Sequence, residues 1–357
     1  MTAAEVKRLA HECGFELAGI APARPNADVP RYLNWVARGA AGAMSYLTDR
    51  RAGIRSDPRM LLPSARSIIS VGKLYDTPHP RSTEVTDSDL AWISRYAWGS
   101  DYHDLMRRRL TTLVQRMSER AEFEWKICID TAPLLERSYA RDAGLGWIGK
   151  NTCLINQHAG SFFFLGEVLT SLDLEPDAAV EPRCGTCTRC IDACPTQAIV
   201  PGDNGAWELD ARLCISYVTI ELRGPILPEQ RSAIGRHVFG CDICQDVCPW
   251  NARAAMTLEP DFAPREIAPP LERLAEITED QFRTLFRGSP VLRAKYSGFL
   301  RNVAIAMGNS GNPKFRHALE RLASSPDPLV AEHAAWALTR IERRTIPRQA
   351  DASAGAG

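Results

Sequence analysis

Eight cysteines crowd between Cys184 and Cys248, and their spacing constrains this chain more than any other feature. Cys184, Cys187, Cys190 and Cys194 form C-x2-C-x2-C-x3-C followed by Pro195, a run in which three close thiolates cap one cubane iron-sulfur cluster and the fourth reaches another. A second half-run, Cys241-x2-Cys244-x3-Cys248-Pro249, lacks its first cysteine, and Cys214 lies upstream as the replacement. Zinc competes for C-x2-C pairs, but it takes four tetrahedral ligands and not two interleaved C-P runs. A radical-SAM C-x3-C-x2-C fails, because Gln197 stands where a third cysteine would follow Cys190 and Cys194.

By the crossed pairing of two-cluster ferredoxins, one 4Fe-4S cluster takes Cys184, Cys187, Cys190 and Cys248, and the other takes Cys194, Cys214, Cys241 and Cys244. Such a module moves electrons one at a time. The remaining cysteines, Cys13, Cys128 and Cys153, sit among apolar neighbours and read as small buried hydrophobes. Met1 to Ile20 reads as an amphipathic helix through Val6, Leu9 and Ala10, with neither a signal-peptide core nor a twin-arginine pair, so a cytoplasmic protein is expected. No run of about 18 apolar residues could span a bilayer.

At 357 residues the chain exceeds a single core and predicts two or three domains. The reading is α+β: an α/β catalytic body over 1–177, a bacterial-ferredoxin-like two-cluster domain over 178–258, a helical domain over 271–345 and a disordered tail over 346–357. Proline-rich stretches at Glu175 to Pro182 and Pro260 to Pro270 mark the boundaries. Candidate strands lie at Ser67 to Val71, Lys126 to Asp130 and Ser161 to Leu165. Leu300, Val303, Ala304 and Met307 share a helix face, as do Val330, Ala334, Ala337, Leu338 and Ile341, with Asp327-Pro328 as a start signal. Short helices separated by Gly/Asn/Pro turns suggest a HEAT-like pair or two. Charges balance at 43 Lys plus Arg against 43 Asp plus Glu, yet 281–351 carries twelve basic residues against five acidic ones. That surplus reads as a solvated helical surface or as a phosphate-backbone footprint.

Gly144-Leu145-Gly146-Trp147-Ile148-Gly149-Lys150-Asn151 matches G-x-G-x-x-G and nearly matches a phosphate loop. Both readings need a strand before and a helix after, whereas Pro133 to Ala143 reads as a helix ending at Gly144 and Thr152 to Ile155 as extended. Asp130 closes the Lys126–Ile129 strand, where α/β sites usually lie; a helix-capping or turn aspartate is the plainer reading. A cobalamin-ligating D-x-H-x-x-G is absent, since Met106 replaces its glycine after Asp101 and His103.

Taken together, Tyr96-Ala97-Trp98-Gly99-Ser100-Asp101-Tyr102-His103, Asp130 with Glu136-Arg137, Ala143 to Asn151, and the cysteine set with Cys214-Ile215-Ser216 and Gly240-Cys241-Asp242 resemble the epoxyqueuosine reductase family over 1 to about 345. The resemblance implies a cobalamin-binding front body, a two-cluster insert and a HEAT-like domain that helps hold tRNA. It implies reduction of the epoxide of epoxyqueuosine in the tRNA anticodon loop to queuosine, with water released and an external electron donor required. Reduced cobalt is nucleophilic enough to open a strained epoxide, and the developing alkoxide needs a proton. Asp130 matches the family's proton donor, a role that requires a carboxyl pKa raised toward the working pH. Cobalamin contacts map onto Arg55, Ser94, Asp130, Leu154, Leu165, Ser216, Cys241 and Asp242. At Ser94 relatives can carry cysteine, so a thiol contact is not implied. A monomer is implied as well.

Two rivals remain on sequence grounds. A reductive dehalogenase shares the body and clusters but usually carries a twin-arginine signal. A non-catalytic ferredoxin-type carrier needs only the cysteine block and leaves the front half unexplained.

Overall fold

The computed structural model describes residues 1–202 and 205–345. Runs of β-branched and apolar residues form a four-stranded sheet in the order Leu17–Pro22, Ser67–Leu74, Phe163–Thr170, Trp125–Cys128. Every neighbouring pair is antiparallel, so the body is an α+β layer and not a parallel doubly wound sheet. The two central strands are buried on both faces, which explains their continuous apolar runs. The helix Tyr102–Ser118 covers one face with Met106, Leu110, Leu113 and Met117. The helix Glu136–Asp142 covers the other, placing Tyr139 and Ala140 against Ile68 and Leu169.

The expected helix over Met1 to Ile20 ends early. It spans Ala3–Glu12, and the chain then turns at Gly14 and becomes the edge strand Leu17–Pro22. Gly14 has φ +86°, and a Cβ there would lie 2.1 Å from the Arg109 guanidinium. Pairing with Ser67–Gly72, fifty residues away in sequence, outweighs the local helical pattern.

The cluster segment carries the hairpin Ile199–Pro201 with Trp207–Leu209 and the short helices Arg189–Asp192 and Ile243–Asp246. Its strand His237–Phe239 runs parallel to Trp92–Ile93 of the front half. One apolar core joins Trp92, Ile93, Trp98 and Phe239 to Phe299, Val303 and Ala337 of the C-terminal helices. Those helices, Lys295–Ser310, Arg316–Ala323 and Pro328–Thr345, follow the expected periodicity, and Asp327 Oδ1 accepts from Leu329 N at 2.9 Å to cap the last. The expected tail, 346–357, lies outside the described residues.

The basic surplus of the C-terminal segment is partly internal. Arg301 is fully buried and donates to the carbonyls of Leu222 (2.9 Å), Gly224 (2.7 Å) and Val218 (2.6 Å), while Asn302 Nδ2 donates to those of Thr219 and Val238. Burial lowers the Arg301 pKa to about 10, still charged at neutral pH. Arg283, Arg293, Lys314 and Arg316 pair with Glu279, Glu221, Asp89 and Glu342. Arg287 and Lys295 remain exposed. Arg301→Met is expected to cost about 3–5 kcal/mol of unfolding free energy by stripping buried carbonyls of their donor; urea unfolding of the two proteins measures it.

Candidate functional site

Asp130 lies two residues beyond the Trp125–Cys128 strand, with φ +44°. The strand is therefore shorter than the expected Lys126 to Asp130. Leaving the ladder in a left-handed conformation, sparsely populated by non-glycine residues, turns the carboxylate toward a cavity. Its side chain keeps 45% of its exposure there and faces His103, whose Nε2 lies 3.3 Å from Asp130 Oδ2 but off the hydrogen-bond line. His103 Nδ1 lies 2.7 Å from Asp101 Oδ1, and the same oxygen accepts from His103 N at the start of the Tyr102–Ser118 helix. Tyr102 stacks on both His103 and Phe164, with ring centres 4.2 and 4.1 Å apart, which fixes the imidazole between the two carboxylates.

The electrostatics reverse one expectation. Burial disfavours the imidazolium, yet Asp101 and Asp130 outweigh it and raise His103 to about 9. Burial likewise opposes ionisation of Asp130, but His103, helped by Arg293 and Tyr102, holds its carboxyl below the usual range. At neutral pH the proton of this pair thus resides on His103 and not on the aspartate. Behind it, burial and then the Asp130 charge push Glu136 up to about 8.

The cavity holds about 440 Å³ and is lined by Tyr46, Arg55, Asp130 and Glu136 from the body and by Glu208 and Ala211 from the cluster segment. Arg55 is buried and donates from Nη1 to the Tyr46 carbonyl at 3.0 Å. Ser94 and Asp242 form a second group: Ser94 Oγ donates to Asp242 Oδ1 at 2.5 Å, while Trp92 Nε1 and Arg95 N donate to Oδ2. Gly240 (φ +70°) permits this approach, since a Cβ there would lie 2.5 Å from Ser94 Cβ. Cys241 and Asp242 follow directly. Ser216 stands on the helix Ile215–Ile220, just after Cys214. Leu154 and Leu165 belong to the apolar cluster under the Glu136–Asp142 helix. Tyr96 packs edge-on against Tyr102, with ring centres 6.4 Å apart, and lies beside Gly240, where a Cβ would sit 3.6 Å from its ring.

The cysteines gather in the crossed sets. Cys184, Cys187, Cys190 and Cys248 line a cavity of about 250 Å³. Burial and then its three companions push the Cys190 thiol up to about 11, a penalty that bound iron reverses by taking thiolates. Cys194, Cys214, Cys241 and Cys244 also feel one another, and burial dominates in raising Cys214 and Cys241. No three His, Cys, Asp or Glu side chains converge on a single-ion site among the described residues. The first set begins on the loop after Pro182, and the second adjoins Ala211 of the large cavity, whose carbonyl accepts from Cys214 N at 3.0 Å, and Asp242.

Four residues, Lys150, Asn151, Cys153 and His103, carry more than their sequence patterns imply. Lys150, in the glycine-rich stretch, donates to the carbonyls of Gly185 (2.8 Å) and Cys187 (2.9 Å), and Asn151 Nδ2 donates to that of Cys244 (3.3 Å). That stretch ties the body to both cluster loops and forms a hairpin, Trp147–Ile148 with Leu154–Ile155, in place of a phosphate loop. Cys153, expected to be an inert hydrophobe, has its thiol beside Cys244. His103 was legible only as part of an aromatic loop.

Family comparison agrees with this geometry. Residues 55–131 match the model described as "Epoxyqueuosine reductase QueG, DUF1730", and residues 183–251 match a 4Fe-4S double cluster binding domain. The epoxyqueuosine reductase of Xanthomonas campestris is 42% identical over 345 residues, covering 95% of this chain and 96% of the relative. That of Escherichia coli K12 is 39% identical, covering 96% and 90%. Among solved structures, an epoxyqueuosine reductase with a tRNA-Tyr epoxyqueuosine-modified stem loop superposes with TM-score 0.85 at 30% identity, covering 95% of this chain and 89% of its own. The Bacillus subtilis enzyme, solved with its catalytic aspartate loop swung out of the active site, gives 0.83 at 30% identity, with 95% and 90% covered. The chain belongs to the epoxyqueuosine reductase family.

Proposed function

We propose that this chain reduces the epoxide of epoxyqueuosine in a tRNA anticodon loop to queuosine, with body 1–177 holding cobalamin, segment 178–258 holding two 4Fe-4S clusters and helices 271–345 meeting the tRNA. The observation that carries this reading is one cavity lined both by Asp130, which faces His103, and by Ala211 of the insert, whose carbonyl accepts from the N–H of Cys214 in the second cysteine set at 3.0 Å. The set Cys184, Cys187, Cys190 and Cys248 would hold the cluster that takes electrons from an external donor. The other set, Cys194, Cys214, Cys241 and Cys244, would hold the second cluster and hand electrons on toward the cavity, which Ala211 lines three residues before Cys214.

The residues present suit a corrin. Apolar walls from Leu134, Leu135 and Ile148 suit its ring, while Arg55, Ser138 and the partnerless Glu136 Oε1 suit its carboxamide edge. Arg55, Ser94, Asp130, Leu154, Leu165, Ser216, Cys241 and Asp242 would hold it, and its cobalt supplies nucleophilic two-electron chemistry when bound. The chain's own part is protonic. The His103 imidazolium holds the proton, and Asp130, 3.3 Å from its Nε2, takes it up and relays it to the oxygen freed as the epoxide opens. The aspartate-bearing catalytic loop named for the Bacillus subtilis relative supports this role, as does the strained backbone at Asp130.

The stem loop bound to the solved relative supports tRNA as the partner. The loop carrying Arg287 lies against the site, since Gly288 O accepts from Asp101 N at 2.7 Å. Arg287 and Lys295 are therefore assigned to phosphates. Arg287→Ala with Lys295→Ala is expected to weaken tRNA binding and to flatten the slope of log K against log salt by roughly 0.7 per charge; an unchanged slope removes both from the interface. No helix among the described residues is long and apolar enough to cross a membrane.

The test is anaerobic reconstitution with iron, sulfide and cobalamin, followed by nucleoside mass spectrometry of epoxyqueuosine-containing tRNA treated with reductant. The nucleoside is expected to lose one oxygen; unaltered epoxyqueuosine under a fully loaded enzyme contradicts the reading.

A further inference from the structure

Lys150 stands at the turn of the hairpin Trp147–Ile148 with Leu154–Ile155. Its ammonium donates to the carbonyls of Gly185 at 2.8 Å and Cys187 at 2.9 Å, on the loop of the first cysteine set. The turn is closed by Thr152 N on Gly149 O (2.9 Å) and by Gly149 N on Cys153 O (2.8 Å). The hairpin also packs on that set: Trp147 and Ile155 share an apolar cluster with Cys184 and Cys248, and the Trp147 and Trp250 rings meet edge to face with centres 5.0 Å apart. Lys150 is thereby half-buried in the wall of the cavity lined by Cys184, Cys187, Cys190 and Cys248.

No carboxylate lines that cavity, and Lys150 forms no ion pair among the described residues. Two of its three N–H groups go to carbonyls, which carry no formal charge, so a unit positive charge stays uncompensated beside the cysteines. Holding a loop needs only a neutral donor, and the next residue supplies one to the other set, where Asn151 Nδ2 donates to the Cys244 carbonyl at 3.3 Å. Arg183 and Arg189 line the same cavity but are exposed, where water and salt screen them. The buried charge beside the second set has the opposite sign. Asp242 follows Cys241, accepts from Ser94 Oγ, Trp92 Nε1 and Arg95 N, and ion-pairs with no cation among the described residues. The donor on the Cys194 sulfur is neutral, Ala198 N at 3.3 Å. A four-iron cluster gains negative charge on reduction, so a fixed cation nearby favours the reduced form and a fixed anion opposes it.

We propose that Lys150 is a positioning residue that sets the order of electron entry, its charge holding the cluster of Cys184, Cys187, Cys190 and Cys248 at a higher potential than that of Cys194, Cys214, Cys241 and Cys244. The proposal rests on the reading of both sets as 4Fe-4S sites. An external one-electron reductant is oxidised as the first cluster is reduced, and the first cluster is reoxidised as it reduces the second. Two such passages supply the two electrons of the epoxide reduction. The higher potential lets the first cluster capture an electron from a weak donor and keep it until the second is empty.

The test is a redox titration of the loaded full-length protein, followed by electron paramagnetic resonance, with Lys150→Gln and Lys150→Arg. Glutamine keeps N–H donors for the loop and drops the charge; arginine keeps both. The wild type is expected to show two midpoint potentials, the higher belonging to the cluster that survives in Cys214→Ala. In Lys150→Gln that higher potential is expected to fall, lowering the reduced-to-oxidised ratio at a fixed potential by about tenfold, or about 59 mV for one electron, while the lower one stays in place. Lys150→Arg is expected to return it toward the wild-type value. Unmoved potentials in a Lys150→Gln protein with full iron and sulfide overturn the proposal, as does a shift of the lower potential alone. So does a wild type in which the cluster surviving in Cys214→Ala has the lower potential, a result that needs no Lys150 variant to fold. In each of these cases the two-cluster reading stands; a wild type without acid-labile sulfide removes that reading and the proposal with it.

Discussion

Asp130→Asn is expected to lower turnover of epoxyqueuosine-containing tRNA by about 10²–10⁴-fold while both clusters and tRNA binding persist. Asparagine fits the same left-handed backbone, so the loss reports chemistry and not folding. It can neither carry the proton nor hold the imidazolium, and His103 should fall back toward its ordinary range. The folded-state pKa of His103 is raised, from 6.5 to about 9, so its pairing stabilises the protein fully below pH 6.5 and is lost as pH rises through 9. Because Asp130 is 45% exposed, that contribution is discounted to about 1–2 kcal/mol. Unfolding curves at pH 6 and pH 9 should therefore differ less in the variant than in the wild type. Full turnover in Asp130→Asn removes the residue from the mechanism.

Cys214→Ala is the second large effect. Cys214 stands outside both C-x2-C runs, yet burial and the neighbouring Cys194 place its thiol in the second set. Its loss is expected to remove that cluster and leave the one held by Cys184, Cys187, Cys190 and Cys248. Iron and acid-labile sulfide should fall by half. Turnover should fall below detection even with chemical reductant, because the electron path to the cavity is cut. A full iron content would assign the eighth ligand elsewhere, with Cys153, beside Cys244, as the thiol nearest at hand.

The cysteine block was the most legible part of the chain. Thiolate spacing reports cluster chemistry directly, and the crossed set appears in the fold as one shared cavity. Asp130 could be placed at a strand end from its apolar neighbours, but its positive φ leaves no mark in the sequence, and its low carboxyl pKa depends on His103, which the Asp101 helix cap, twenty-nine residues before Asp130, brings to it. Lys150 stood in a glycine-rich run whose spacing says nothing of the carbonyls it reaches thirty-five and thirty-seven residues on. The C-terminal surplus of cations is partly internal for the same reason: Arg301 donates to carbonyls of 218–224, contacts made only once the chain has folded back. Periodicity at 300–307 and 328–345 needs no such long-range knowledge, and those helices formed where it placed them.

Electron delivery to the Asp130 site requires two four-iron clusters in series. Iron, sulfide and electron paramagnetic resonance measurements on anaerobically prepared protein, reduced stepwise, test it most directly. Iron and sulfide for two clusters are expected, with two interacting reduced-cluster signals, of which only that of the Cys194, Cys214, Cys241 and Cys244 set disappears in Cys214→Ala. A single bound zinc with no acid-labile sulfide would contradict it.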